Sequence, residues 1–370
     1  MNGTFYECIS SSGICKRDTM SRPVSPLDVP MAELEYLCVD DFLKTLVDAR
    51  ALSSAFELGL IDFIVQKPRV DLDDLREALG TDERGLRFLA DLLLLNHVIE
   101  EKNSEIMLTQ AFIRALKFRD LLEAKLEFAN FVAPDVIDHL TTLIQRPQQF
   151  GQDTRTFELF CYGRSLEHTP ENFELTKRWV RITTALTKYE AQVCLKYHDF
   201  SNYRRMLDIG GNSGEFALRV CKKHPGIQAT VFDLPVVCEV GLEHVRSEPE
   251  AGRVSFIKGN ALEDPLPEGC DLITFKSMLH DWPEREAKHL IARASRALAP
   301  GGTLLIFERG PIELGEKSPP YSMIPFLLFF RSFRSPEIYS AQFRACGLHT
   351  VEIQRIDLET PFHLVTGVKS

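Results

Sequence analysis

Apolar residues recur at every third or fourth position from Ala32 onward. Phe42, Leu46, Ala49, Leu52, Ala55, Phe56 and Leu60 make one stripe, which predicts an amphipathic helix ending near Gly59. Residues 71–95 read as a short helix, a break at Gly80, an N-cap at Thr81, then a longer helix carrying Leu86, Leu89, Leu92 and Leu93. His97 to Thr109 reads as two short strands around Lys102-Asn103-Ser104, so this part has a winged-helix-like order. Residues 110–200 are mostly helical, with Pro134, Pro147 and Pro170 as breaks. The period then changes. Met206-Leu207-Asp208 ends a buried strand, a glycine segment follows, and a helix begins at Glu215. Strands are expected at 228–232, 253–257, 271–275, 303–307, 348–356 and 362–368, with helices at 236–246, 284–298 and 336–346. Alternation of this kind implies an α/β fold with a doubly wound, mostly parallel sheet. The last two strands have no helix between them and are expected to pair antiparallel at one edge.

The expected divisions are a loose tail over 1–30, a winged-helix-like domain over 31–118, a helical linker and acceptor-pocket segment over 119–200, and a catalytic domain over 201–370. The tail is Ser, Pro and charge without periodicity, and Met20 is a candidate start. A winged helix raises the question of DNA. Between Asp71 and Asp91, however, seven residues are acidic and three basic, and the whole chain carries −10. Phosphate would be repelled, so the module is expected to pack and dimerise, with neither nucleic acid nor membrane as partner. The longest apolar run, Met323 to Phe330, has eight residues and contains Pro325, and Met1 to Met20 lacks an apolar signal core. None of the nine cysteines forms a CxxC pair. A reduced, cytoplasmic protein without a metal site is expected.

The chemistry starts at Asp208-Ile209-Gly210-Gly211-Asn212-Ser213-Gly214. Glycines after a strand allow close approach of a ligand or helix. A carboxylate just before them disfavours a phosphate cofactor. S-adenosylmethionine (SAM) has no phosphate and carries an ammonium and a sulfonium, so Asp208 favours it. Asp233 closes the second strand at the distance where such folds place a ribose-binding acid. Gly259-Asn260-Ala261 ends the third strand, placed to border an adenine.

Lys276-Ser277-Met278-Leu279-His280-Asp281-Trp282-Pro283 and Gly301-Gly302-Thr303-Leu304-Leu305-Ile306-Phe307-Glu308 complete the set, together with Phe232-Asp233-Leu234-Pro235. In this order the motifs closely resemble those of the SAM-dependent O-methyltransferases of the caffeate and hydroxyindole type, over about nine tenths of the chain. The resemblance implies a Rossmann-like SAM-binding domain, a homodimer formed through the N-terminal domain, and S-adenosylhomocysteine as the second product. It implies His280 as general base and Glu308 as the acid that orients it. It also implies a cofactor site drawn from Asp208, Gly210, Gly211, Ser213, Gly214, Asp233, Leu234, Asn260, Ala261 and Lys276. A small-molecule acceptor is expected against Trp282, Phe326, Phe329, Phe330 and Phe333.

Three positions depart from the family's pattern. Asn212 replaces the middle glycine and Asn260 replaces an adenine-binding acid. Asn tolerates left-handed backbone, and its amide oxygen still accepts from an amine. Phe333 stands where the family has a second acid before Arg-Ser. It removes a carboxylate from the base and extends the apolar run Pro325 to Phe330. The expected acceptor is therefore apolar and aromatic, and His280 less polarised. Arg331 and Arg334 either bind an acidic or carbonyl group on the acceptor or are solvated or ion-paired. The same fold also supports C- or N-methylation, or a non-methylating reaction such as hydroxylation or decarboxylation, and Phe333 keeps those readings open.

Overall fold

The structure, a computed structural model, describes residues 33–315 and 318–370. The expected tail over 1–30 lies outside them. The chain divides into two compact units. One comprises Leu34–Asp138 and Leu314–Leu327; the other comprises His139–Glu313 and Leu328–Ser370, with Glu33.

In the first unit a 3-10 helix, Glu35–Phe42, leads into α1 (Leu46–Glu57), α2 (Leu60–Gln66), α3 (Leu72–Leu79) and α4 (Glu83–Leu95). Thr45 and Asp48 close a reciprocal capping box at the start of α1. Gly80 ends α3 at φ 63, in the left-handed conformation a helix stop needs. The cap of α4 is Asp82, whose carboxylate accepts the Gly85 N–H at 2.9 Å, one residue beyond the expected Thr81. The hairpin of β1 (Ile99–Lys102) and β2 (Glu105–Leu108) turns at Asn103 and Ser104, both at positive φ. After α5 (Gln110–Ala115) comes α6 (Arg119–Gln145). Pro134 does not break α6 as expected; it lies inside, and the irregularity falls at His139, φ −127 and ψ 15. Proline removes one backbone donor there, yet its fixed φ suits a helix, and the helix runs on through it. The two units divide between Asp138 and His139, at that kink.

The second unit continues with α7 (Pro147–Asp153), α8 (Thr156–Leu159), a 3-10 turn at Tyr162–Leu166 and the long α9 (Pro170–Tyr197). Pro147 and Pro170 both occupy the first helical turn, where the missing N–H costs nothing. Then follow β3 (Arg205–Ile209), α10 (Glu215–Lys223), β4 (Gln228–Asp233), α11 (Pro235–Val245), β5 (Val254–Lys258), β6 (Cys270–Lys276), α12 (Glu284–Ala297), β7 (Leu298–Arg309), α13 (Pro336–Ala345), β8 (Leu348–Asp357) and β9 (Pro361–Lys369). The sheet order is β5-β4-β3-β6-β7-β9-β8. Strands β3 to β7 are parallel, and β9 runs antiparallel to both β7 and β8, as expected for the last pair. The strand order reverses between β3 and β6, so the carboxyl ends of β3, β4, β6 and β7 meet at one edge of the sheet. Open α/β sheets place ligands there. Beneath that edge Ile209, Phe232, Phe275, Leu279 and Ile306 are packed into one core. Each such side chain contributes about 1.5–3 kcal/mol by burial, which keeps the strand ends rigid. Among the described residues no helix is long and apolar enough to cross a membrane.

Candidate functional site

The turn after β3 is built from left-handed residues: Gly210 at φ 66, Asn212 at 58 and Gly214 at 77. Asn212 adopts the conformation that the sequence asks of a glycine substitute. Its N–H donates to Asp233 Oδ2 at 2.8 Å, and its amide oxygen accepts the Ser213 N–H at 2.8 Å. A Cβ at Gly211 would stand 2.6 Å from Asp208 Oδ2, so only glycine lets the turn close over that carboxylate. Helix α9 braces the turn, with the Thr184 hydroxyl donating to Ser213 Oγ at 2.7 Å and the Thr183 hydroxyl to Asn212 Oδ1 at 3.3 Å.

Asp208 is fully buried beneath the turn. It accepts the Thr274 hydroxyl at 2.6 Å, and its other oxygen, Oδ2, has no hydrogen-bond partner. Burial pushes its carboxyl up to about 7 against the Thr274 hydrogen bond. Asp233, at the end of β4, accepts the N–H groups of Asn212 and Leu234 and is pushed up to about 6, again chiefly by burial. Two buried acids, one of them directly beneath the turn, disfavour a phosphate there. A cation is favoured, because it relieves their cost of ionisation. The residues present therefore fit SAM. Asn260 holds its own loop: its amide oxygen accepts the Leu262 N–H at 3.1 Å, and its N–H donates to Asp264 at 2.7 Å. Ala261 packs against the core.

Lys276, expected at the cofactor, closes β6. Its ammonium donates to Thr187 Oγ1 at 2.9 Å and to Glu190, both on α9. Glu190 also binds Arg309, whose guanidinium pairs with Glu359 and covers the Phe362 ring at 4.6 Å. The two cations hold the buried Glu190 carboxyl down at about 2 despite burial. In sequence Glu190 carries a signal, because it falls on the buried stripe of α9 with Leu186 and Val193.

His280 sits in the 3-10 turn Leu279–Asp281 beyond β6, and Glu308 near the end of β7. Both are buried. His280 Nδ1 lies 2.9 Å from Glu308 Oε1, which also accepts the Arg309 N–H at 2.9 Å. Burial alone lowers the imidazole's pKa, but the Glu308 and Asp281 carboxylates outweigh it, and the net direction is upward. Phe329 and Phe333 meet the imidazole edge-on, each at 5.1 Å between ring centres, and stack on each other at 5.8 Å; Phe160 meets Phe329 at 5.6 Å. Phe333 therefore occupies the base's surroundings as an apolar ring.

The sequence reading of Phe333 left the base with a single acid, and the structure corrects this. Asp281 Oδ1 stands 3.4 Å from His280 Nε2. The neighbour of the base in the quoted motif was thus the missed residue.

The remaining aromatic candidates do not all join this cluster. Trp282 packs against the sheet's core. Phe330 is 39% exposed beneath the Arg331 guanidinium. Phe326 belongs to the first unit, edge-on to Phe128. Arg331 donates to the Ile144 carbonyl. Arg334 donates to the carbonyls of Leu279, at 2.8 Å, and Trp282, so it clamps the turn that carries His280. Among the described residues no cluster of His, Cys, Asp or Glu could hold a metal ion.

Comparison with known proteins gives this geometry its family. The O-methyltransferase domain family matches residues 141–326. Acetylserotonin O-methyltransferase of Gallus gallus is 30% identical over 346 residues, 89% of this chain and 95% of that protein. The N,N-dimethyltransferase OxyT of Streptomyces rimosus is 28% identical over 70% of this chain and 74% of its own length. The 3-hydroxy-5-methyl-1-naphthoate 3-O-methyltransferase of Streptomyces sahachiroi is 34% identical over 38% of this chain, a match that spans only 39% of that relative. Human N-acetylserotonin methyltransferase, solved in complex with SAM, superposes with a TM-score of 0.68 at 19% identity, over 87% of this chain and 94% of that one. The chain belongs to the SAM-dependent O-methyltransferases of the hydroxyindole and caffeate type.

Proposed function

We propose that the protein methylates a hydroxyl oxygen of a small, apolar, aromatic acceptor in specialised metabolism, with His280 as general base. The observation that carries this reading is the buried His280–Glu308 pair inside a wall of phenylalanine rings. SAM, when bound, supplies the electrophilic methyl group and leaves as S-adenosylhomocysteine. Asp208, Asp233 and the turn between them hold its cationic and ribose parts, and the Asn260-Ala261 loop borders its adenine. With Nδ1 bound to Glu308, only Nε2 of His280 is left to take the acceptor's proton. A phenol near pKa ~10 gives up that proton more readily to an imidazole whose own affinity has been raised. Glu308 fixes the ring and stabilises the imidazolium. Phe329, Phe333 and Phe160 exclude water and offer ring faces to the acceptor.

The first unit supports a homodimer. Val47, Leu58 and Phe88 are exposed apolar side chains around a groove of about 820 Å³ lined by α1 and α4. A patch of this kind on a soluble unit marks an association surface.

The test is purified protein with SAM and a panel of hydroxylated aromatics, read as S-adenosylhomocysteine by mass spectrometry. Turnover should fall by ~10²-fold or more in His280→Ala. Absence of product across the panel, or an unimpaired variant, overturns the proposal. N-methylation is the second reading, favoured by the uncharged Phe333 at the base and by the likeness to OxyT. A neutral amine needs little help from a base, so amine turnover that survives His280→Ala would select it.

A further inference from the structure

Glu190 is buried on α9, and two cations from the edge of the sheet donate to its carboxylate. One is the Lys276 ammonium, at the end of β6 and four residues before His280; it also donates to Thr187 Oγ1 at 2.9 Å. The other is the guanidinium of Arg309, the last residue of β7 and the neighbour of Glu308. Glu359, in the turn between β8 and β9, accepts from the same guanidinium at 3.2 Å. None of these four side chains is more than 7% exposed.

Arg309 reaches the base's partner as well. Its backbone N–H donates at 2.9 Å to Glu308 Oε1, the oxygen that lies 2.9 Å from His280 Nδ1. Successive side chains on a strand alternate, so its guanidinium leaves on the opposite side from Glu308, toward α9 and over the Phe362 ring at 4.6 Å. Thr183, Thr184, Thr187 and Glu190 recur at three and four along α9 and share one face. That face braces the cofactor turn through Asn212 and Ser213 and the base's strand ends through Lys276 and Arg309.

We propose that Glu190 is a positioning residue of the reaction: by holding the Arg309 guanidinium on α9, it keeps that cation from the Glu308–His280 pair and leaves the Glu308 charge to the imidazolium. The inference rests on His280 as the base.

Physical chemistry sets the sign of the effect. A buried guanidinium stays charged, so its counter-charges decide how far its field reaches. Arg309 is faced by Glu190, Glu359 and Glu308, and Glu190 by Arg309 and Lys276. His280 is faced by Glu308 and Asp281, which favour its proton, and by Arg309, which opposes it. Glu308 is faced by His280 and Arg309. With Glu190 neutral, Arg309 draws more on Glu308 and its field on the imidazole grows. The imidazolium then holds its proton less tightly.

The experiment is an NMR titration of the full chain with histidine labelled at Cε1, His280 being identified among the ten histidines by its loss in His280→Gln. No acceptor and no turnover are needed, so the result stands even if the reaction assigned above is wrong. Glu190→Gln keeps the size of the side chain and removes its charge, and His280 should titrate lower by about half a pH unit or more. Adding Arg309→Gln removes the cation together with its counter-charge and keeps the backbone N–H on Glu308. In that double variant the titration should return at least to its native position. Thr187→Val loosens α9 from Lys276 without touching Arg309, and should leave the titration in place. A role in stability alone lowers the melting temperature of Glu190→Gln and leaves His280 of the folded chain unmoved; that result overturns the proposal. So does a double variant that titrates as low as Glu190→Gln, or a Thr187→Val shift of equal size. If Glu190→Gln does not fold, Glu359→Gln carries the test on the same guanidinium: His280 should again titrate lower, and an unmoved titration overturns the proposal.

Discussion

Replacing Glu308 with glutamine keeps the size of the side chain and an acceptor for His280 Nδ1, and removes only the charge. In the native protein that charge lies 2.9 Å from Nδ1 and is buried, so solvent does little to screen it. A hydrogen bond to a charged partner is worth about 1.5–3 kcal/mol, roughly twice a neutral one. If the imidazolium forms in the transition state, that loss is felt there, and kcat should fall by ~10–100-fold at about 1.4 kcal/mol per decade. The acidic limb of the pH–rate profile gives a second, independent reading. The rate rises as His280 loses its proton, and in the native protein the carboxylates hold that proton against burial. With Glu308 neutral, burial weighs more, so the limb should move to lower pH while the plateau drops. The assay is kcat against pH with saturating SAM and acceptor. A limb that stays in place, or a loss under about threefold, would refute the claim that this carboxylate stabilises the protonated base.

Asp208→Asn separates stability from binding. The native carboxyl is raised to about 7 by burial, so the cofactor-free fold loses stability as pH rises from about 4 to 7 and stays lower above that. The asparagine variant should melt higher at pH 8 without cofactor, by an amount corresponding to about 2–4 kcal/mol, yet bind SAM ~10-fold or more weakly by calorimetry. Arg334→Ala frees two backbone carbonyls of the His280 turn. It should cost about 2 kcal/mol in urea unfolding and lower kcat more than it raises acceptor KM. Phe333→Leu keeps the site apolar but removes the ring beside His280. Its main effect should be a rise of several-fold in acceptor KM, measured with the best phenol found. Phe88 is 66% exposed in the α4 groove, and Phe88→Asp should shift the protein from dimer to monomer in light scattering while far-ultraviolet dichroism stays unchanged.

The sequence by itself determined the periodic parts. Period-two strands and period-3.6 helices gave the sheet, its antiparallel edge and the helix–turn–helix–hairpin at the front, because burial on one face writes itself directly into residue order. Asp208, the glycines, Asn212 and Asp233 were legible for a similar reason: a tight left-handed turn and the acid beneath it are local demands, met within a few residues. His280 and Glu308 were singled out by the motifs' resemblance to the family, and they lie at or just beyond the ends of neighbouring strands. What only the tertiary structure decided was long-range pairing. The ammonium of Lys276 goes to Glu190, 86 positions earlier in the chain. Phe326 and Phe329 are three residues apart and lie in different units, and Phe330 between them is exposed. Arg309 meets Glu190 across 119 positions. A buried ionisable group must find a partner wherever folding happens to bring one, and the spacing of residues along a chain carries no record of which strand end or helix face that will be.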